Sequence, residues 1–299
     1  MRASFFHPYL LLSAAVLFWA GNSVVGRLFA QDIPPLTLVF WRWSLALLIL
    51  TPICLKSFRR DLPIIKKHLP YLVFQGILSV TAFNAFLYWG LHSTTVVSAS
   101  LILAGMPIVT LFFSIVILKK GLAPIGIVGI LLSLGGVAWV VSQGNLINLS
   151  EIAFNIGDLL ILISVLIWSI YSVLLAKFPQ GLSRLSFAYT MVLAGLVVML
   201  PLYLIEAHYQ GAPTLNANSL LALLYIGIFP SVLALMCWNK GVEMVGANTA
   251  GIFLNLMPIF GTILGVILLN EDLFLYHYYG MVFILVGVFL VTRAQKKAP

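Results

Sequence analysis

Charge is scarce in this chain. Asp, Glu, Lys and Arg make up 8% of its 299 residues, against about 25% in soluble domains. That is too little to coat a water-facing surface, so an ordinary soluble domain is excluded and the surrounding medium must be lipid. Cysteine is nearly absent. Cys54 and Cys237 both fall in apolar runs, which excludes a disulfide framework. The five histidines, at positions 7, 68, 92, 208 and 277, all lie near the ends of apolar runs. No H-E-x-x-H or C-x-x-C spacing occurs, so neither a metal site nor a cofactor is expected. The His, Asp, Glu or Cys constellation that an intramembrane hydrolase or transferase needs at depth is missing, which argues against an enzyme. A filter-like loop and a ring of charge are missing too, which argues against most channels.

What remains is 62% apolar sequence in runs of about 20 residues, the length a helix needs to cross the hydrocarbon. Barrel strands would be half as long and would alternate. Ten helical spans are expected, near 8–28, 35–55, 69–90, 94–118, 122–142, 155–177, 183–205, 218–239, 245–269 and 273–292. The first is too long for a signal peptide and carries Asn22 and Ser23 in its body, so it is read as retained. The spans leave no room for a separate soluble domain.

The chain is also written twice. Residues 90–140 match 241–291 at a constant offset of 151, and 13 of the 51 pairs are identical, including Met106-Pro107 with Met257-Pro258. The expected halves are 1–149 and 150–299. Five spans per half is odd, so the second half enters the membrane from the opposite side and the repeats are inverted. The loop at 143–154 joins them. Many transporters are built this way.

The net charge of +8 could suggest nucleic acid, but its placement excludes that partner. Fourteen of 16 Lys and Arg fall at alternate span ends, on one side of a ten-span chain. Cytoplasmic loops carry this excess, so both termini are expected in the cytoplasm of a cell whose inner membrane holds the protein. Arg27 lies on the other side and Arg42 lies inside a span.

Polar side chains within a span mark bundle interiors or cavities. Trp19 and Asn22 share a face of span one, Asn84 and Tyr88 a face of span three, and Trp168 and Tyr171 a face of span six. Asn239 in span eight is the mate of Tyr88, and Asn255 lies in span nine. Each could be helix–helix glue. As a set they are read as the lining of a substrate cavity. Pro107 and Pro258, mid-span and mated, are expected kinks and candidate gates; ordinary tolerated kinks are an equal reading. Arg42, flanked by Trp41 and Trp43, is expected to snorkel outward; an ion pair or a carboxylate contact is the alternative. Asn155 and Asp158 read as a capping box, and Glu271-Asp272 as the start of span ten. Gly129, Gly136, Gly280 and Gly287 allow close helix packing, within the chain or in a homodimer.

Leu17-Phe18-Trp19-Ala20-Gly21-Asn22-Ser23 resembles the opening signature of the drug/metabolite transporter superfamily, EamA type. Pro34-Pro35, then Arg42 and Ala46, is similar to that family's second-span pattern, and Pro258 through Glu271 to its fourth. The first half reads Pro107 to Lys119-Lys120 at that place and lacks the acidic end. The resemblance covers the whole chain. It implies ten helices, alternating access and export of small metabolites. Among the members, the chain is most similar to the YddG-type exporters of aromatic and other neutral amino acids. The expectation is facilitated export of such a molecule, since no titratable group sits at mid-depth. Drugs or organic cations are the alternative cargo.

Overall fold

The computed structural model describes residues 7–118, 124–145, 155–210, 216–245, 253–254 and 256–297. Among them there is no strand. In chain order the helices are α1 (His7–Leu28), α2 (Pro35–Lys67), α3 (Leu69–Gly76), α4 (Phe83–Leu91), α5 (Val96–Ala104), α6 (Met106–Leu118), α7 (Pro124–Val141), α8 (Ile156–Leu174), α9 (Arg184–Gln210), α10 (Ala217–Ile228), α11 (Ala234–Val245), α12 (Leu256–Leu269) and α13 (Leu275–Lys297). Wider π-helical turns, Ile77–Ala82 and Phe229–Leu233, splice α3 to α4 and α10 to α11. Seven of the resulting rods are long and apolar enough to cross a membrane, and three apolar helices, Pro124–Val140, Leu256–Leu269 and Leu275–Leu290, are shorter.

The helix starts follow from local chemistry. Pro35 opens α2, where its missing N–H has no partner to lose. Thr95, Asn155 and Asn216 cap α5, α8 and α10 by accepting from Ser98 N, Gly157 N and Ser219 N. The expected capping box at Asn155 holds for the asparagine only. The Asp158 carboxylate instead accepts from Thr94 Oγ1, on the connection between α4 and α5. α2 continues past residue 55 to Lys67, through Pro52 and Pro63. At 1.5 Å per residue it is longer than the hydrocarbon is thick.

The mated prolines do not kink continuous helices. The chain breaks at Gly105, whose N–H reaches Ile102 O, and Met106 begins a new helix with Pro107 in its first turn. Pro258 likewise sits in the first turn of α12, where Met257 N reaches back to Leu254 O. A first turn tolerates proline because its N–H would be unpaired anyway.

α1 packs on α11 and α12, and α8 packs on α4, α5 and α6. α2 lies on α9, α5 on α12, and α7 along α13. The buried core runs through Tyr88, Leu91, Val97, Leu101, Ile102 and Ile161. Large apolar side chains such as Leu48, Leu131, Val197, Ile267 and Phe289 cover the outside.

The glycines expected to pack helices are used within the chain. A Cβ at Gly287 would lie 2.5 Å from Gly129 O and 2.7 Å from Ser133 N. One at Gly136 would lie 2.9 Å from Gly280 O. The α7–α13 backbones touch there, so these residues are not free to form a dimer face. Overpacking of this kind costs about 1–3 kcal/mol. Gly287→Leu is therefore expected to lower the midpoint of thermal unfolding in detergent. An unchanged midpoint would show that the two helices separate easily.

Candidate functional site

The two π turns set up the site. A π turn misaligns the ladder of i to i−4 hydrogen bonds and leaves carbonyls to be satisfied by other groups. In the first, Asn84 Nδ2 donates to Ser79 O (2.8 Å) and Val80 O (3.0 Å). In the second, Ser231 Oγ donates to Ile226 O (2.7 Å) and Trp19 Nε1 donates to Pro230 O (3.1 Å). Pro230 itself supplies no N–H.

The oxygens left over on Asn84 and Ser231 meet one cation. Arg42 of α2 is buried, 5% exposed. Its Nε donates to Ser231 Oγ (2.6 Å), and its Nη1 donates to Asn84 Oδ1 (2.8 Å) and Tyr88 Oη (3.0 Å). Tyr88 Oη in turn donates to Asn22 Oδ1 (2.6 Å). The guanidinium carbon lies 5.0 Å from the Trp43 ring centroid and 6.0 Å from that of Tyr88. Five side chains from α1, α2, α4 and the second π turn thus surround one positive charge. No carboxylate contacts it among the described residues, and its Nη2 has no protein partner there. A lone buried ion costs several kcal/mol even after relaxation. Neutral oxygens and ring faces offset part of that cost.

This corrects the expectation for Arg42, which turns inward instead of snorkelling. Of the eight residues expected to line a cavity, Asn22, Asn84 and Tyr88 come together around it, all nearly inaccessible. Trp168 and Tyr171 form a second group on α8. Trp168 packs on Phe83 at 4.8 Å between centroids and on Tyr171 at 5.1 Å. Phe83 directly precedes Asn84 in α4. Trp19 packs on Trp238 at 5.4 Å, beside the second π turn. Asn255 and the side chain of Asn239 lie outside the described residues.

The acids serve helix ends. Glu206 of α9 accepts from Leu36 N, Thr37 N and Thr37 Oγ1, closing the start of α2. Glu271 accepts from Val96 N (2.7 Å) and Val97 N (2.9 Å), closing the start of α5 rather than of α13. Arg27 Nη1 does the complementary job, donating to Leu91 O and His92 O at the end of α4. Burial, and after it the Arg27 charge, holds the His92 imidazole below its usual range.

A cavity of about 580 Å³ opens near these ends, lined by Val25, Phe29, Asp32, Asn216, Ala222 and Tyr225 among others. It reaches the polar cluster only indirectly. Val25 is one turn from Asn22, and the Tyr225 hydroxyl lies against Gly21, where any Cβ would collide with it. None of the eight expected residues lines this cavity.

Residues 7–142 and 155–293 each match the EamA-like transporter family. The chain is 25% identical over 281 residues to the uncharacterized transporter YyaM of Bacillus subtilis, covering 94% of this chain and 92% of that protein. It is 28% identical over 295 residues to an uncharacterized transporter of Archaeoglobus fulgidus, covering 96% and 98% respectively. A crystal structure of a protein 19% identical superposes over 98% of this chain and 99% of its own, with a TM-score of 0.63, a likeness of fold.

Tyr88 is the bridge of the cluster, because its hydroxyl both accepts from Arg42 and donates to Asn22. Leaving buried partners unsatisfied costs about 1–3 kcal/mol. Tyr88→Phe is expected to lower thermal stability in detergent by an amount of that order, with the membrane insertion unchanged. Stability equal to the wild type would mean that the Arg42 network is not formed.

Proposed function

Because the chain belongs to the EamA-like transporter family, we propose that it exports small neutral metabolites, chiefly amino acids with aromatic or apolar side chains. It is a multi-pass membrane protein, and its relatives are named transporters. In the proposed reading the cell's inner membrane holds it with both termini in the cytoplasm. Its halves, 1–149 and 150–299, are inverted five-helix repeats that rock about a central site. The seven long spans and three shorter apolar helices add to ten, which fits that arrangement. The family matches fall on either side of residues 143–154. The packing also fits two-fold pairing. α1 on α11 and α12 mirrors α8 on α4 and α5–α6, while α2–α9, α5–α12 and α7–α13 pair equivalent helices.

The observation that carries the substrate reading is the composition of the site. One cation, three amide or hydroxyl side chains and adjacent aromatic rings offer a charged anchor beside an apolar surface. A ring stacked on Trp168 or Phe83 gains roughly 0.5–1.5 kcal/mol beyond its buried area. A lone buried arginine repels an organic cation, which weighs against the runner-up cargo. Glu206, Glu271 and Asp158 are bonded at helix ends, which supports facilitated rather than proton-driven export. Pro107 and Pro258, each following a break in its span, are the proposed bending points. The functional unit is a monomer or a homodimer.

In proteoliposomes, counterflow of labelled phenylalanine and leucine is expected, with no net accumulation from a pH gradient alone. Trp168→Ala should cut the phenylalanine rate at least tenfold and leave the protein monodisperse. Counterflow of organic cations without amino acids would overturn the substrate reading. For topology, single cysteines at Gln210 and Lys297, in a background free of Cys54 and Cys237, should react from opposite faces. Reaction from one face would sink the inverted arrangement.

A further inference from the structure

We propose that Arg42 is the anchor for a carboxylate on the transported molecule, with Nη2 as the donor and the Tyr88 hydroxyl beside it. The proposal rests on the transporter reading above and narrows it to one chemical group. Three observations carry it. First, the guanidinium is buried among neutral partners only, so its charge is uncompensated by the described residues. Second, those partners hold Nε and Nη1 and leave Nη2 without an acceptor among the described residues. A carboxylate accepts from guanidinium N–H groups more strongly than a neutral oxygen does. Third, the fold does not need a cation there. At the offset of 151 found for residues 90–140 and 241–291, the equivalent of Arg42 on α9 is Leu193, with Met191 and Val192 just before it. The equivalent pairing surface is therefore filled by apolar side chains in the second half. Only the first half keeps the charge, with Asn84 and Tyr88 to orient it.

The second π turn couples the anchor to the backbone of the span. Ser231 holds Arg42 Nε and also closes that turn onto Ile226 O. Tyr225 of α10, which lines the cavity described above, stands six residues before Ser231. A carboxylate arriving at Nη2 neutralises the charge and loosens the hold of the guanidinium on its neutral acceptors, Ser231 Oγ, Asn84 Oδ1 and Tyr88 Oη.

The test uses purified full-length protein in detergent and four probes of similar shape: L-phenylalanine, 3-phenylpropionate, L-phenylalanine methyl ester and phenethylamine. Thermal stabilisation is measured against probe concentration. The two carboxylates are expected to stabilise the protein, and the ester and amine to do so at least tenfold less potently. Arg42→Gln should shift the carboxylate curves at least tenfold to higher concentration, and Arg42→Lys less. Should Arg42→Gln not fold, the wild-type comparison of acid with ester decides alone. Equal potency of acid, ester and amine would overturn the anchor, as would a wild-type carboxylate response in Arg42→Gln. An Arg42-dependent response to 3-phenylpropionate with no phenylalanine counterflow would support the anchor while overturning amino-acid export.

Discussion

Every backbone carbonyl within a bilayer must find a donor inside the protein, and the two π turns leave several that the helices cannot satisfy themselves. That demand determines most of what surrounds Arg42. Asn84 spends both amide hydrogens on Ser79 and Val80, so its Oδ1 is left to accept. Ser231 donates its one hydrogen to Ile226, so its oxygen is likewise left to accept. Two acceptors with no hydrogen to spare create a place where a donor is required, and the guanidinium supplies it. The irregular backbone and the buried cation are thus one arrangement. Straightening either π turn would release its side chain and change the field at Arg42. A helix that switches between π and α hydrogen bonding would therefore couple backbone geometry to the charge.

A second consequence of scarce charge is visible at the opposite extreme of the spans. Glu206 and Glu271 each take two backbone N–H groups of a helix far away in sequence, and Arg27 takes two carbonyls. Charged caps placed in this way interact favourably with the helix dipoles. They also fasten α9 to α2, the loop after α12 to α5, and α1 to α4. The acids are then committed to architecture at one end of the bundle. The polar cluster at Arg42 is left as the concentration of hydrogen-bonding chemistry inside the spans.

The sequence made the membrane class legible because composition and run length depend on the solvent and not on tertiary detail. It also made Asn22, Asn84 and Tyr88 legible, since an amide or hydroxyl on an apolar helix face has few inexpensive destinations. Arg42 was harder. A long cationic side chain about two turns from a span end, between two tryptophans, satisfies the same rule whether it snorkels or turns inward. Only the positions of α4 and the second π turn distinguish the two. Ile77–Ala82 has no breaker, so nothing local announces a π turn; Pro230 was the one available hint for the other. Without the turns, Ser231 carried no signal. Glu271 stands just before α13 in the sequence, and no local pattern announces its cap on α5, a contact across 175 residues. Gly129, Gly136, Gly280 and Gly287 announced close packing, but spacing cannot say whether the neighbour is the same chain.

The chain combines repeated architecture with chemistry present in one half only. Both halves carry a π turn, a helix with Met-Pro in its first turn, and a glycine-bearing helix. Those shared features concern how helices bend and approach. At the offset of 151 the Asn84 and Arg42 positions have the apolar equivalents Leu235 and Leu193, whereas Tyr88 is matched by the polar Asn239. In the proposed alternating-access reading, two similar halves would supply the two equivalent arrangements that alternation requires. A site built identically in both would hold two cations within one bundle, and their repulsion in a low-dielectric interior is severe. Keeping the cation in one half avoids that repulsion while leaving the bending elements matched. The asymmetry at Arg42 therefore lets a duplicated helical scaffold carry a single buried cation.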